Sequence, residues 1–196
     1  MTALLKGSPY ITVEEYLEGE EFSEIRHEYY DGAVTAMAGG TSRHNAATGY
    51  FFRKIADKLQ GGPCQVFMSD FKVRTPFVRS ELFYYPDVFV ACEPDDNHRL
   101  YRNSPKFWLE VMSNAEDPGS KDRVEKYLVA RRMPSMEEYV LVSPDPKKPE
   151  VSVFRRDSDW EPPEVVREGE VTLTSIDVTV SIDELYESLA QIEMTG

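Results

Sequence analysis

The 196-residue chain reads as an α/β domain, a mixed β-sheet flanked by helices, with extra strands and a helix at its C-terminal end. Three observations predict this. Two runs rich in β-formers, "YYPDVFVAC" (Tyr84 to Cys92) and "KFWLEVMS" (Lys106 to Ser113), are apolar enough for central strands. Segments with apolar residues at helical spacing lie on either side of that pair. More strand patterns follow the second of them, so strands and helices share one stretch of chain.

In chain order, "YITVEEYLEGEEF" opens as a helix, because Thr12 and Glu15 have the spacing of a capping box. "RHEYYDGAVTAMAG" reads as a hairpin turning at Asp31-Gly32. Ser42 can cap a helix running to about Gln60, with Phe51, Phe52, Ile55 and Leu59 on its apolar face, and Gly61-Gly62 ends it. "CQVFMSDFKVRT" alternates as one half-exposed strand, and the two apolar runs follow. Ser120 can start the next helix, "KDRVEKYLVARR", with Val124, Leu128 and Arg131 on one stripe and Met133-Pro134 closing it. "EEYVLVS" and "EVSVFRR" are strands joined by the turn "PDPKKP". Short strands around Val165 and from Val171 to Val180 precede a last helix, which has Ser181 and Glu184 in capping-box positions. The organisation is an N-terminal helix and hairpin (10–40), a core (42–156) and an acidic C-terminal part (157–190) within one domain over 1–196.

Hydrophobic content of 41% and charged content of 29% are those of an ordinary globular domain. No run approaches the roughly 18 apolar residues of a membrane span, and the N-terminus lacks the order of a signal peptide. Cys64 and Cys92 have no metal-like spacing and read as small hydrophobes in a reduced, cytoplasmic protein. The net charge of −13 argues against a general nucleic-acid coat. Its distribution is uneven. From Arg43 to Arg79 there are seven Lys/Arg against two Asp/Glu, whereas from Asp157 to Gly196 there is one against eleven. The basic middle is either a solvated face or a phosphate-facing surface on one side.

The chemistry gathers at two carboxylates. Of three Pro-Asp dipeptides, Pro94-Asp95 and Pro144-Asp145 lie in polar loops, and only Pro86-Asp87 opens an apolar strand. Glu110 sits inside the other apolar run. Buried carboxylates are costly unless paired. Two brought together on neighbouring strands repel unless a cation lies between them. A hard divalent ion, Mg²⁺ or Mn²⁺, resolves that repulsion. Lys126 has two readings, a surface i,i+4 partner of Asp122 or a cation serving the carboxylates. Glu28 is an exposed hairpin residue or a third carboxylate. Trp108, Tyr84 and Tyr85 read as packing.

The ordered blocks "SRHNAATGYFFRKIADKLQGGPCQVFMSDFKVRT", "YYPDVFVAC", "LEVMS", "DRVEKY" and "PSMEEYVLVS" resemble the Uma2 family of bacterial restriction-endonuclease-like proteins, within the PD-(D/E)XK nuclease superfamily. The resemblance runs from about Ile11 to Leu189. It implies a restriction-endonuclease-like fold and divalent-metal-dependent hydrolysis of phosphodiesters in DNA. Asp87 matches the Asp of the Pro-Asp motif, and Glu110 the acidic residue of the next strand. Where the superfamily has lysine two residues after that acid, this chain has Met112; the resemblance moves the lysine role to Lys126. Glu28 matches an acidic position ahead of the family's first core helix.

The resemblance thus implies catalytic roles for Glu28, Asp87, Glu110 and Lys126, with Mg²⁺ or Mn²⁺ held by Asp87, Glu110 and the carbonyl of Val111. His44, Arg43, Lys72 and Arg74 in the basic middle are the expected nucleic-acid contacts. DNA is the expected partner, no membrane is involved, and a homodimer is the expected assembly. The alternative is an inactive nuclease-fold protein acting as a nucleic-acid-binding or scaffold subunit; the displaced lysine and acidic total favour it, and the retained Asp87 and Glu110 favour the enzyme.

Overall fold

The computed structural model describes residues 10–77, 80–113 and 121–192. Helix α1 (Val13–Phe22) starts at the expected capping box, with Glu15 N–H on Thr12 Oγ1 and Thr12 N–H on Glu15 Oε2. Strands β1 (His27–Tyr30) and β2 (Ala33–Ala36) form the expected hairpin. Asp31 (φ 40°) and Gly32 (φ 91°) both adopt positive φ, the backbone that a two-residue hairpin turn demands and that an Asp-Gly pair supplies. Helix α2 (Ser42–Leu59) is capped one residue earlier than expected. Thr41, not Ser42, accepts from the His44 N–H at 3.2 Å.

The segment read as one strand over 64–75 is two. Strand β3 (Gln65–Met68) and strand β4 (Lys72–Phe77) enter different sheets. Between them Ser69 takes φ 47° and gives its N–H to the carbonyls of Pro86 and Asp87, which breaks the extended run. The run from Tyr84 to Cys92 also divides, into β5 (Ser80–Tyr84) and β6 (Val88–Ala91). Pro86 has no N–H for a ladder, so the break falls there. The order continues with β7 (Tyr101–Arg102), β8 (Pro105–Val111), α3 (Lys121–Ala130), β9 (Glu138–Val142), β10 (Val151–Arg155), β11 (Glu164–Val166), β12 (Glu170–Leu173), β13 (Val178–Ser181) and α4 (Ile182–Ala190).

The strands form a six-stranded sheet, β11-β10-β9-β8-β6-β3, a five-stranded sheet, β2-β1-β5-β4-β7, and the hairpin β12-β13. The larger sheet is mixed, since β8 pairs parallel with β9 and antiparallel with β6. Period-2 alternation sorts its side chains. Val88, Val90, Leu109, Val111, Val140 and Val142 face α2 and α4, packing on Phe51, Ile55, Ile182 and Leu185. Phe89, Trp108 and Tyr139 point the other way, towards Val129 and Ala130 of α3 and Val73 and Tyr84 of the five-stranded sheet. Tyr16, Tyr29 and Phe83 pin α1 to that second sheet.

Helix α3 sits rotated from the expected stripe. Val124 and Leu128 are 44% and 40% exposed, while Lys126, Val129 and Ala130 are buried. The side that packs on the aromatic layer carries a lysine, which no apolar periodicity could reveal. The Ser120 cap and the Asp122 side chain lie outside what the structure describes. The C-terminal helix begins as expected at Ser181, whose hydroxyl accepts from Glu184 N–H. The Glu184 side chain, however, goes to Lys54 and Tyr50 of α2 instead of closing the box.

The cysteines correct the sequence reading more sharply. Cys64 and Cys92 form a disulfide, with Cα atoms 4.0 Å apart. The β3–β6 register places Gln65 opposite Ala91, so the two cysteines stand one step further along the same ladder. Among the described residues, no helix is long and apolar enough to cross a membrane.

Candidate active site

The register of β6 and β8 builds the site. Val88 pairs with Leu109, which places Asp87 and Glu110 one step beyond, side by side at the ladder's end. Asp87 shares the face of Phe89, and Glu110 that of Trp108, so both acids belong to the α3 side of the sheet. The Val111 N–H donates to Asp87 Oδ2 at 2.7 Å. His44, in the first turn of α2, brings its Nε2 to 3.2 Å from the same oxygen. The Trp108 indole N–H donates to Glu110 Oε1 at 2.7 Å.

Two more elements close over this pair. Lys126 descends from α3 with Nζ 3.9 Å from Glu110 Oε1 and 2.8 Å from Oε1 of Glu28 on β1. Its ammonium also lies 5.9 Å from the centre of the Tyr84 ring, whose hydroxyl meets that of Tyr30. The side chains of Lys126, Glu28, Glu110, Asp87 and His44 are only 8–18% exposed. All five border one cleft of about 790 Å³, together with Val111.

Burial dominates the electrostatics of this cleft. Burial pushes the Glu110 carboxyl up from 4.5 to about 8; Lys126 and the Trp108 N–H act against the rise, and Asp87 and Glu28 add to it. Burial alone lowers the His44 pKa, but the adjoining Asp87 carboxylate reverses that, and the net direction is upward. Glu28, Asp87 and Glu110 thus stand around Lys126 and His44, and Arg26 and Asp70, which line the same cleft, pair with each other at 3.2 Å.

Such a pocket suits a small hard cation. Among the described residues no three His, Cys, Asp or Glu side chains converge tightly enough to enclose a metal. Asp87, Glu110 and the Val111 carbonyl, which also takes a hydrogen bond from His44, are the groups that could hold a hard divalent ion. Such a site needs only one or two carboxylates, with waters and substrate phosphates completing it. Each carboxylate commits one oxygen to the protein, Asp87 Oδ2 and Glu110 Oε1, and has a second to offer. The Glu110 carboxyl is raised chiefly by burial, with Asp87 and Glu28 adding to the rise, and a cation bound beside it would favour its ionised form.

Of the residues singled out in the sequence, Glu28, His44, Asp87, Glu110, Val111 and Lys126 come together. The other three expected phosphate contacts do not line this cleft. Arg43 donates to the Ile192 carbonyl at 2.8 Å, beyond the end of α4. Lys72 is buried, its ammonium 5.1 Å from the centre of the Tyr85 ring. Arg74 grips Glu81 through two hydrogen bonds of 2.7 and 2.8 Å. These cations are held by internal partners, a commitment that a count of basic residues cannot see. Trp108 is the residue that sequence reading passed over. The signal was available, because residues two apart on a strand share a face and a buried indole N–H needs an acceptor.

A family model, Uma2, described as "Putative restriction endonuclease", matches residues 13–182. The chain is 30% identical over 183 residues to the protein slr1290 of Synechocystis sp., covering 93% of this chain and 94% of that one. It is 29% identical over 135 residues to sll1609 of the same organism, covering 67% and 74%. In three dimensions it is similar to a crystal structure described as "a putative nuclease belonging to DUF820" from Anabaena variabilis. The TM-score is 0.65 at 16% identity, over 85% of this chain and 93% of that one. At that identity the likeness concerns the fold.

Proposed function

The chain belongs to the Uma2 family, and from that premise we propose that it is a divalent-metal-dependent nuclease hydrolysing phosphodiester bonds in DNA. The observation that carries the reading is Lys126. It reaches back from α3 to the strand-end carboxylates, 3.9 Å from Glu110 and held by Glu28 at 2.8 Å. Under this proposal Lys126, on the neighbouring helix, takes the part of the lysine that the superfamily places where this chain has Met112.

In this reading Asp87, Glu110 and the Val111 carbonyl hold Mg²⁺ or Mn²⁺, which when bound lowers the pKa of its water and neutralises charge on the phosphate. The protein's own groups do the positioning. Val111 N–H and His44 fix the Asp87 carboxylate, and Trp108 fixes Glu110. Lys126 orients the attacking water or donates to the oxyanion that develops on the phosphate. Glu28, 2.8 Å from the Lys126 ammonium, holds it in place. A homodimer is the accompanying expectation, and the Cys64–Cys92 disulfide removes the reduced cysteines on which the cytoplasmic expectation rested.

A second reading, a non-catalytic scaffold on the nuclease fold, draws on Arg43, Lys72 and Arg74, whose internal partners take them from a DNA-facing surface. Incubating plasmid DNA and labelled single strands with the protein and Mg²⁺ or Mn²⁺, with Asp87→Ala in parallel, separates the two. Cleavage by wild type and none by Asp87→Ala is expected. Metal binding without cleavage of any DNA or RNA moves the assignment to the scaffold.

A further inference from the structure

Trp108 is completely buried, yet its one polar atom is spent on the floor of the cleft. Its ring is wedged between Tyr84 and Tyr139, with centroids 5.9 and 6.2 Å away at 63° and 45°, and both neighbours are also fully buried. Packing therefore fixes the indole plane. The N–H that leaves that plane donates to Glu110 Oε1 at 2.7 Å. Each group solves the other's problem, because a buried indole N–H needs an acceptor and a buried carboxylate needs a donor.

We propose that Trp108 is a positioning residue of the metal site: its indole N–H takes Oε1 of Glu110, so that Oε2 is the oxygen presented to the ion. This rests on the metal-dependent reading above. The hydrogen bond selects one oxygen and holds the carboxylate against swinging fully onto Lys126, which sits 3.9 Å from the same Oε1. Outer partners of this kind orient a ligand without touching the ion, and removing one lowers metal affinity by about 10- to 100-fold.

The test is a pair of titrations. With calorimetry, Trp108→Phe should bind Mn²⁺ about 10- to 100-fold more weakly than wild type, while Asp87→Ala loses binding. In ¹⁵N-labelled protein the two tryptophans, Trp108 and Trp160, give two indole N–H signals, which Trp160→Phe assigns. On adding diamagnetic Mg²⁺ the Trp108 signal should move in step with saturation, because the carboxylate that accepts from it through Oε1 then holds the ion through Oε2, and the Trp160 signal should stay. Should Trp108→Phe fail to fold, the indole titration of the Trp160→Phe protein decides alone. Wild-type metal affinity in folded Trp108→Phe, or a Trp108 signal that stands still while the metal binds, overturns the positioning role and leaves the metal site intact. No metal binding by wild type removes the metal reading itself, and the proposal with it.

Discussion

Replacing Lys126 by methionine keeps the length of the side chain and removes its charge. The Lys126 and Glu28 side chains are 8% and 12% exposed and meet at 2.8 Å, so the change leaves a carboxylate buried without its cation. Breaking a buried pair in this way costs about 3–5 kcal/mol. In a chain of this size each kcal/mol shifts Tm by about 2–4 °C, so a fall on the order of 10 °C at pH 8 is expected in the metal-free protein. At pH 5 the loss should shrink, because Glu110, already pushed up to about 8, then carries a proton and fewer charges are stranded. Metal binding should hold or strengthen, since a positive charge 3.9 Å from Glu110 has gone. Cleavage should fall by about 10²-fold or more if the ammonium donates to the oxyanion. Scanning calorimetry at the two pH values, Mn²⁺ calorimetry and a single-turnover cleavage assay measure these separately. A stability loss below about 1 kcal/mol, the size of an exposed pair, together with unchanged cleavage, refutes the reasoning.

Further outcomes follow from other contacts. The folded-state pKa of Glu110 lies above its ordinary value, from 4.5 to about 8, so unfolding releases a proton between those values. The metal-free protein should therefore lose stability as pH rises from about 4.5 to about 8, and Glu110→Gln should flatten that slope in a Tm-versus-pH series; an unaltered slope counts against it. Glu138 is fully buried and accepts from Arg155, Thr174 and Ser175, tying β9 and β10 to the loop between β12 and β13. Glu138→Ala should cost about 3–5 kcal/mol in denaturant melts without changing Mn²⁺ affinity. The Cys64–Cys92 bridge spans 28 residues, so its reduction should cost about 3–4 kcal/mol by the chain-entropy relation. Thiol titration of the unreduced folded and unfolded protein should find no free sulfhydryl.

Much of the fold was legible because it is local. Thr12 with Glu15, Asp31-Gly32, and Ser181 before α4 act through backbone geometry within a few residues, and each marks the element start or turn it predicts. The two carboxylates were legible for a related reason: an acid in an apolar strand is an anomaly that sequence alone displays. Where the reading failed, the deciding interaction was distant. Ser69 breaks an alternating run by donating to Pro86 and Asp87. The solvent-facing Val124 and Leu128 follow from what α3 packs against, not from its own spacing. Register sets Cys64 beside Cys92 and Asp87 beside Glu110, and register is a property of two strands together.

The same division runs through the candidate site. Sequence by itself singled out Asp87 and Glu110, as acids at apolar strands, and left Glu28 and Lys126 with two readings each, which only the family resemblance leaned towards the site. Only the tertiary structure decided which of the cations face the carboxylates. Lys126 turns inward to Glu28, and Trp108 is drawn from the core to Glu110. Arg43, Lys72 and Arg74 turn to partners elsewhere. The direction of a side chain is set by the packing of the surfaces on either side of it, and those surfaces come from parts of the chain far apart in sequence.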